Sequence, residues 1–172
     1  PGAPFIYYGD EIGMRYVEGL KSVEGGYNRT GSRSPMQWDD STNAGFSSAP
    51  ASELYIAMDP DKDRPTAKKE MAAPDSLYHE VKKLIRIRQS HKALQSRGKI
   101  TFVYAEKNAY PLAYIREDGD EKILVIINAA AEAKTFACDA EPKEAIYNFG
   151  AAAEAKNGKI TVPAQSAGFY RI

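Results

Sequence analysis

The sequence holds one cysteine, Cys138, so no disulfide can form within the chain. A lone thiol fits a reducing compartment, and a cytoplasmic setting is the expectation. Histidine is almost as scarce. His79 and His91 are the only two, and neither neighbours a cysteine, or an acid at the spacing of zinc ligands. Charge of one sign is missing too: 23 basic residues balance 23 acidic ones, for a net charge of zero. Binding to nucleic acid or to an anionic membrane surface draws on excess Lys and Arg, so neither partner is expected. No apolar run approaches the roughly 20 residues of a membrane span. The phosphate-cradling patterns GxGxxG and GxxxxGK[ST] are absent. No metal and no cofactor is expected. The chain opens at Pro1, without methionine and straight into an apolar stretch, and reads as a piece of a longer protein.

Hydrophobic residues make up 43% of the 172 and charged residues 27%, the balance of a globular chain of one ordinary domain or two small ones. Composition divides it in three. The first part, to about Pro74, places one short apolar run, Phe5–Tyr8, before a long irregular stretch. "EGGYNRTGSRSP", "DDSTNAGFSS" and "DPDKDRP" are all rich in turn formers. Loop in such quantity implies a function or a scaffold outside the sequence. The second part is a helix, with Asp75 or Ser76 as its N-cap. Leu77, Val81, Leu84, Ile85 and Arg88 recur at helical spacing, and Lys82, Lys83, Arg86 and Arg88 gather late, where the helix dipole favours cations. With no net charge on the chain, that basic side is a solvated face.

From about Lys99 the sequence is all short strands: "ITFVYA", "PLAYIRE", "KILVIIN", "KTFACD", "AIYNF", "KITV" and "GFYRI". "EDGDE" and "KNGK" between them are hairpin turns. Seven such strands suggest an antiparallel sandwich. "AAAEA" occurs twice, at 129–133 and 151–155. Five residues are too few to overcome helix nucleation, so both are read as loops.

Three clusters could carry chemistry. Asp10 and Glu11 follow directly on the Phe5–Tyr8 run, where parallel barrels place active sites. Adjacent residues of an extended chain point to opposite sides, which makes a poor pair for attack across one sugar bond. Their simpler role is to accept backbone or arginine hydrogen bonds at the strand end. Asp59, Asp61, Asp63 and Glu70 occupy positions 1, 3, 5 and 12 of a calcium loop, but Arg64 stands where the turn needs glycine. That stretch is expected to be a solvated charged loop. In "RSPMQWDDSTNAGFS", residues 33–47, Trp38 is the only tryptophan and lies between Gln37 and Asp39. An aromatic face beside amide and carboxylate groups suits a sugar, whose C–H faces stack while its hydroxyls need polar partners. Cys138 is read as a small buried hydrophobe.

Together these residues resemble the α-amylase superfamily, glycoside hydrolase family 13. Gly2-x-Pro4-x-x-x-x-Gly9-x-Glu11 is similar to the family's motif on the eighth barrel strand. "RSPMQWDDSTNAGFS" resembles a stretch of its oligosaccharide-acting branch of oligo-1,6-glucosidases, α-glucosidases and trehalose synthases, with Ser34 where the pattern often has Thr. "APDSLYHEVKKLIRIRQSHKAL" resembles the helix that closes the barrel, and the rest resembles the C-terminal sandwich. The resemblance implies an α+β fragment: the last strand and closing helix of a (β/α)8 barrel over residues 1–98, then an all-β antiparallel C-terminal sandwich over 99–172. A whole barrel takes about 250 residues. The family's catalytic carboxylates come from barrel strands four, five and seven, so none is expected in this chain. Asp10 and Glu11 are then structural or supporting residues. Arg33, Gln37 and Trp38 are candidate contacts at the pocket rim for an α-linked oligosaccharide. The parent activity so implied is retaining hydrolysis of short α-glucosides through a covalent glucosyl-enzyme. The alternatives are a trehalose synthase-like transglucosylase and a non-enzymatic carbohydrate-binding or docking module. Self-association through the unpaired Phe5–Tyr8 strand is expected of the chain alone.

Overall fold

The computed structural model describes residues 2–172. The chain forms two compact units, one of Pro4–Ile85 and one of Arg86–Ile172 with the first residues of the chain. Among the described residues, no helix is long and apolar enough to cross a membrane.

The first unit is built from turns. Short 3-10 turns cover Asp10–Ile12, Thr30–Arg33, Thr42–Gly45 and Ala51–Glu53. Phe5–Tyr8, expected as a strand, pairs with no described strand: Tyr8 already lies in a turn, and Phe5 is 96% exposed. A parallel strand exists through its neighbours' hydrogen bonds, and no described strand lies beside these residues. A six-residue helix, α1 (Ala67–Ala72), stands in the expected charged loop. Thr66 caps it by accepting the Lys69 N–H at 3.2 Å. The expected helix is α2 (Leu77–Ser90), and its cap is Ser76, whose Oγ accepts the His79 N–H at 3.4 Å. No residue of α2 is buried, and Leu77 and Ile85 of its apolar stripe stay exposed.

The second unit is the sandwich. Its strands are β1 (Lys99–Tyr104), β2 (Leu112–Asp118), β3 (Glu121–Asn128), β4 (Lys134–Ala137), β5 (Glu144–Phe149), β6 (Glu154–Lys156), β7 (Lys159–Val162) and β8 (Ser166–Arg171). They form a five-stranded sheet in the order β1-β2-β3-β8-β5 and a three-stranded sheet in the order β4-β7-β6. Every strand pair is antiparallel. All seven expected strands are present, and both expected hairpin turns close where the glycines lie. Asn157 and Gly158, at φ 52° and 69°, turn β6 into β7. β6 corrects one reading, because the second "AAAEA" lends Glu154 and Ala155 to this short edge strand. Pairing with β7 overrides alanine's helix preference.

β3 explains its own sequence. Leu124 and Ile126 point between the sheets, where they meet Phe136, Cys138, Ile160, Val162 and Tyr170. Ile123 and Val125 point the other way, onto Ala93 and Leu94 of the connector that follows α2. A central strand buried on both faces reads as a continuous apolar run. Cys138 is buried in the core, and burial pushes its thiol above the usual range, as expected of an inert packing residue.

Candidate functional site

The segment from Arg33 to Phe46 lies in the first unit and is bolted down at both ends. Ser34, Met36 and Gln37 are buried. The first unpaired N–H groups of α1 find their partners here: Ala67 N–H donates to the Gln37 carbonyl at 2.8 Å, and Lys68 N–H to the Trp38 carbonyl at 2.9 Å. The Gln37 side chain points inward, with Nε2 on the Pro65 carbonyl at 2.6 Å. Its Oε1 has no hydrogen-bond partner among the described residues. Trp38 is the opposite case. Its backbone is fixed, while the residue as a whole is 52% exposed.

That ring faces a cavity of about 440 Å³, lined by Tyr8, Glu11, Arg33, Pro35, Met36, Trp38, Phe46, Tyr55 and Ile56. Of the residues anticipated from sequence, Arg33, Trp38 and Glu11 come together here, while Gln37 lies behind the wall. Tyr8, Phe46 and Tyr55 were not anticipated. They stand 30 positions upstream to 17 positions downstream of Trp38, and only the folded turns gather them. The one signal that could have found Phe46 was its place at the far end of the same turn-rich motif. The wall is aromatic and apolar, and Arg33 and Glu11 are its ionisable groups of opposite charge. Such a surface can stack on the C–H face of a ring and orient it with a few polar contacts.

The two carboxylates of the opening motif are engaged locally. Asp10 Oδ2 accepts the Tyr7 N–H and Glu11 Oε2 accepts the Gly9 N–H, both at 2.9 Å. Each therefore closes the turn that carries it. Tyr8 donates its hydroxyl to the Ser34 carbonyl at 3.0 Å, which ties this turn to the Arg33 segment. Burial and the neighbouring Tyr7 ring raise its phenol above the usual range, against the opposing pull of Arg33.

Asp59, the first position of the calcium-like stretch, is not solvated. It is 2% exposed, and both its oxygens bind Arg15, at 2.8 and 2.9 Å. Arg15 also reaches Asp61 at 3.2 Å. Arg64, in the place of the missing glycine, donates to the Asp61 carbonyl at 2.9 Å. Asp59 and Asp61 are thus spent on arginine and on the turn. Among the described residues, no group of three or more His, Cys, Asp or Glu is placed to hold a metal ion.

Residues 1–97 match the family "Alpha amylase, catalytic domain". The chain is 29% identical to the glucan 1,6-alpha-glucosidase of Streptococcus pneumoniae, over 94% of its own length and 34% of the relative's. It is 32% identical to the oligo-1,6-glucosidase of Bacillus cereus, over 78% of its length and 28% of the relative's. Among solved structures, the trehalulose synthase MutB of Pseudomonas mesoacidophila superposes with a TM-score of 0.80 at 28% identity, over 99% of this chain and 35% of that one. The chain thus spans about a third of the length of these proteins. Set against that fold, it is a barrel-closing segment followed by the C-terminal sandwich. Both the family match across more than half of the chain and the character of these relatives lead to one assignment: the protein belongs to the α-amylase superfamily, glycoside hydrolase family 13, in its oligosaccharide-acting branch.

Proposed function

We propose that this chain forms the acceptor-side wall of a pocket in an enzyme that moves α-linked glucosyl units between short sugars. The observation that carries the reading is the aromatic cavity of Tyr8, Trp38, Phe46 and Tyr55 with Arg33 and Glu11 at its margin. In double displacement, a covalent glucosyl-enzyme is resolved by whichever hydroxyl reaches it first, water or sugar. An apolar wall that stacks a sugar ring favours the sugar and disfavours ordered water. Transfer is therefore the primary reading, supported by the likeness to a trehalulose synthase. Hydrolysis is the second, supported by the names of the two glucosidase relatives.

In this reading Arg33 and Trp38 touch the acceptor sugar, and Asp10 and Glu11 shape the turn beneath it. Gln37 acts from behind, by holding the segment against Pro65. The family's catalytic carboxylates lie outside the chain, and the chain alone does not cleave α-glucosides. Clear turnover of nitrophenyl α-glucoside by the purified chain would overturn that part.

The transfer reading is tested by grafting. The chain replaces the matching C-terminal portion of the Bacillus cereus oligo-1,6-glucosidase, and the hybrid is given isomaltose. Transfer predicts that larger saccharides accumulate ahead of free glucose. Glucose as the main product from the outset would favour hydrolysis.

A further inference from the structure

The turn between Trp38 and Phe46 has an uncommon backbone. Asn43, Ala44 and Gly45 are all left-handed, at φ 50°, 53° and 72°. Outside glycine this conformation is adopted mainly by Asn and Asp, and then as single residues. Ala44 has no side-chain group to compensate for it, yet it is fully buried. Its carbonyl accepts the N–H of Trp38 at 2.8 Å and of Asp39 at 3.2 Å. The Phe46 N–H donates to the Asn43 carbonyl at 3.0 Å. The turn thus fixes the backbone at both aromatic residues.

Two pins hold it in place. Asn43 Nδ2 donates to the carbonyls of Ser47 and Ala49, at 2.9 and 2.8 Å. Asp39 Oδ1 accepts the Ser41 N–H at 2.8 Å and also the Ser41 hydroxyl. The pins close tightly: a Cβ on Gly45 would lie 2.9 Å from Asp39 Oδ1. The two rings they serve are about half exposed, so neighbours supply only part of their orientation. The backbone supplies the rest. Strain of this kind persists only where surrounding structure enforces it, and it is concentrated at functional sites.

We propose that the left-handed turn Asn43–Gly45 is a positioning device that presents Trp38 and Phe46 to the sugar ring, with Asn43 as its locking residue and Asp39 as the second pin. The assignment of an α-glucoside as the ligand rests on the function proposed above. The device is preorganisation: two rings held in advance lose less freedom when the sugar arrives.

The test uses the 172-residue chain, in which Trp38 is the only tryptophan and reports the site by fluorescence. Asn43→Gly keeps the left-handed backbone and removes both amide donors. Asn43→Asp keeps the size and the tolerance of positive φ, and also removes them. Both are read by Trp38 anisotropy, by quenching with isomaltose, and by circular dichroism as a check of fold. The expected result is a native spectrum, lower Trp38 anisotropy and about tenfold weaker isomaltose binding. Wild-type anisotropy and affinity in both variants would overturn the proposal. Should wild type fail to respond to isomaltose while the anisotropy of the variants still falls, the positioning role stands and the α-glucoside reading falls. If the Asn43 variants do not fold, Asp39→Ala removes the opposite pin and is judged by the same two readouts.

Discussion

Asp59 is a charge taken out of water and held by one arginine. The Arg15 guanidinium keeps its carboxyl below the usual carboxylate range against the cost of burial, helped by the Asp61 N–H. The sign of the consequence follows from the direction of the shift. Between the native and unfolded values the unfolded chain binds the proton more readily, so stability rises with pH there. The contribution is complete above the ordinary carboxylate value and is lost as pH falls through the lower native one. Arg15→Met should leave a buried carboxylate half satisfied. We expect a loss of about 1–3 kcal/mol at neutral pH that shrinks as pH falls through the acid range, where the wild type loses the same contribution, so the acid limb of the stability profile is flatter in the variant. Urea unfolding across an acid-to-neutral series checks both. A variant with the wild-type midpoint at every pH would show that solvent screens the pair completely. A second residue-scale expectation concerns Tyr170. Its hydroxyl donates to Asn148 Oδ1 at 2.7 Å and accepts the Ala153 N–H at 3.0 Å, from within the sandwich core. Tyr170→Phe keeps the ring and strands both partners, for an expected loss of about 1–3 kcal/mol, read from the thermal midpoint.

Among elements, the connector between α2 and β1 has the most to hold. Residues 91–98 are clasped from the sheet. Glu121, at the start of β3, takes His91 Nδ1 at 2.6 Å and the Ala93 N–H at 2.9 Å. Burial works to raise the Glu121 carboxyl, but the Ala93 amide, His91 and Arg171 together hold it below its ordinary value. Arg116 of β2 donates to the carbonyls of Gln95 and Gly98, at 2.6 and 3.1 Å. Gly98 is needed for this fit, because a Cβ there would lie 2.1 Å from the Ala93 carbonyl oxygen. Gly98→Ala must shift backbone, and we expect it to cost about 1–3 kcal/mol, as overpacking does. An unchanged thermal midpoint would mean that the connector yields freely. This clasp also marks what the sequence could and could not tell. The strands were legible because β-branched and aromatic runs between turn formers depend on local pattern. The closing helix was legible through its stripe and its cap. In sequence Glu121 belongs to a hairpin turn, Arg116 to a strand and Asp59 to a charged loop, and nothing local marks their partners, which lie 17 to 44 positions away. The same distance in sequence hid Tyr8 and Tyr55 from the cavity, whereas Trp38 was visible through its own motif. Phe5–Tyr8 failed in the other direction. Its local pattern says strand, and strand formation is not a local property.

At the scale of the whole chain, two expectations concern how it behaves in solution. The domain boundary is proposed near Gly98, where helical pattern gives way to strands. Limited proteolysis should leave a strand-rich core from about residue 99. A protected core that begins near Arg86 would assign the connector to the sandwich, in keeping with the burial of Ala93 and Leu94 against β3. The second expectation follows from apolar surface in the first unit. Phe5 is nearly bare, Val23 is 77% exposed, and Ile6, Tyr7, Leu77 and Ile85 are each about half exposed. Burying one large apolar side chain contributes roughly 1.5–3 kcal/mol, so several together favour association strongly. Phe5 and Ile6 belong to no described strand pair, and their backbone edge adds hydrogen-bonding groups that a second chain can meet. We expect light scattering to find dimers or larger species whose proportion rises with concentration. Phe5→Ser combined with Ile6→Thr should shift the balance toward monomer and leave the unfolding midpoint of the sandwich in place, since neither residue belongs to its core. A monodisperse monomer of the wild-type chain, with residues 4–85 protected from hydrogen exchange, would show that the turn-built unit holds together without covering this surface.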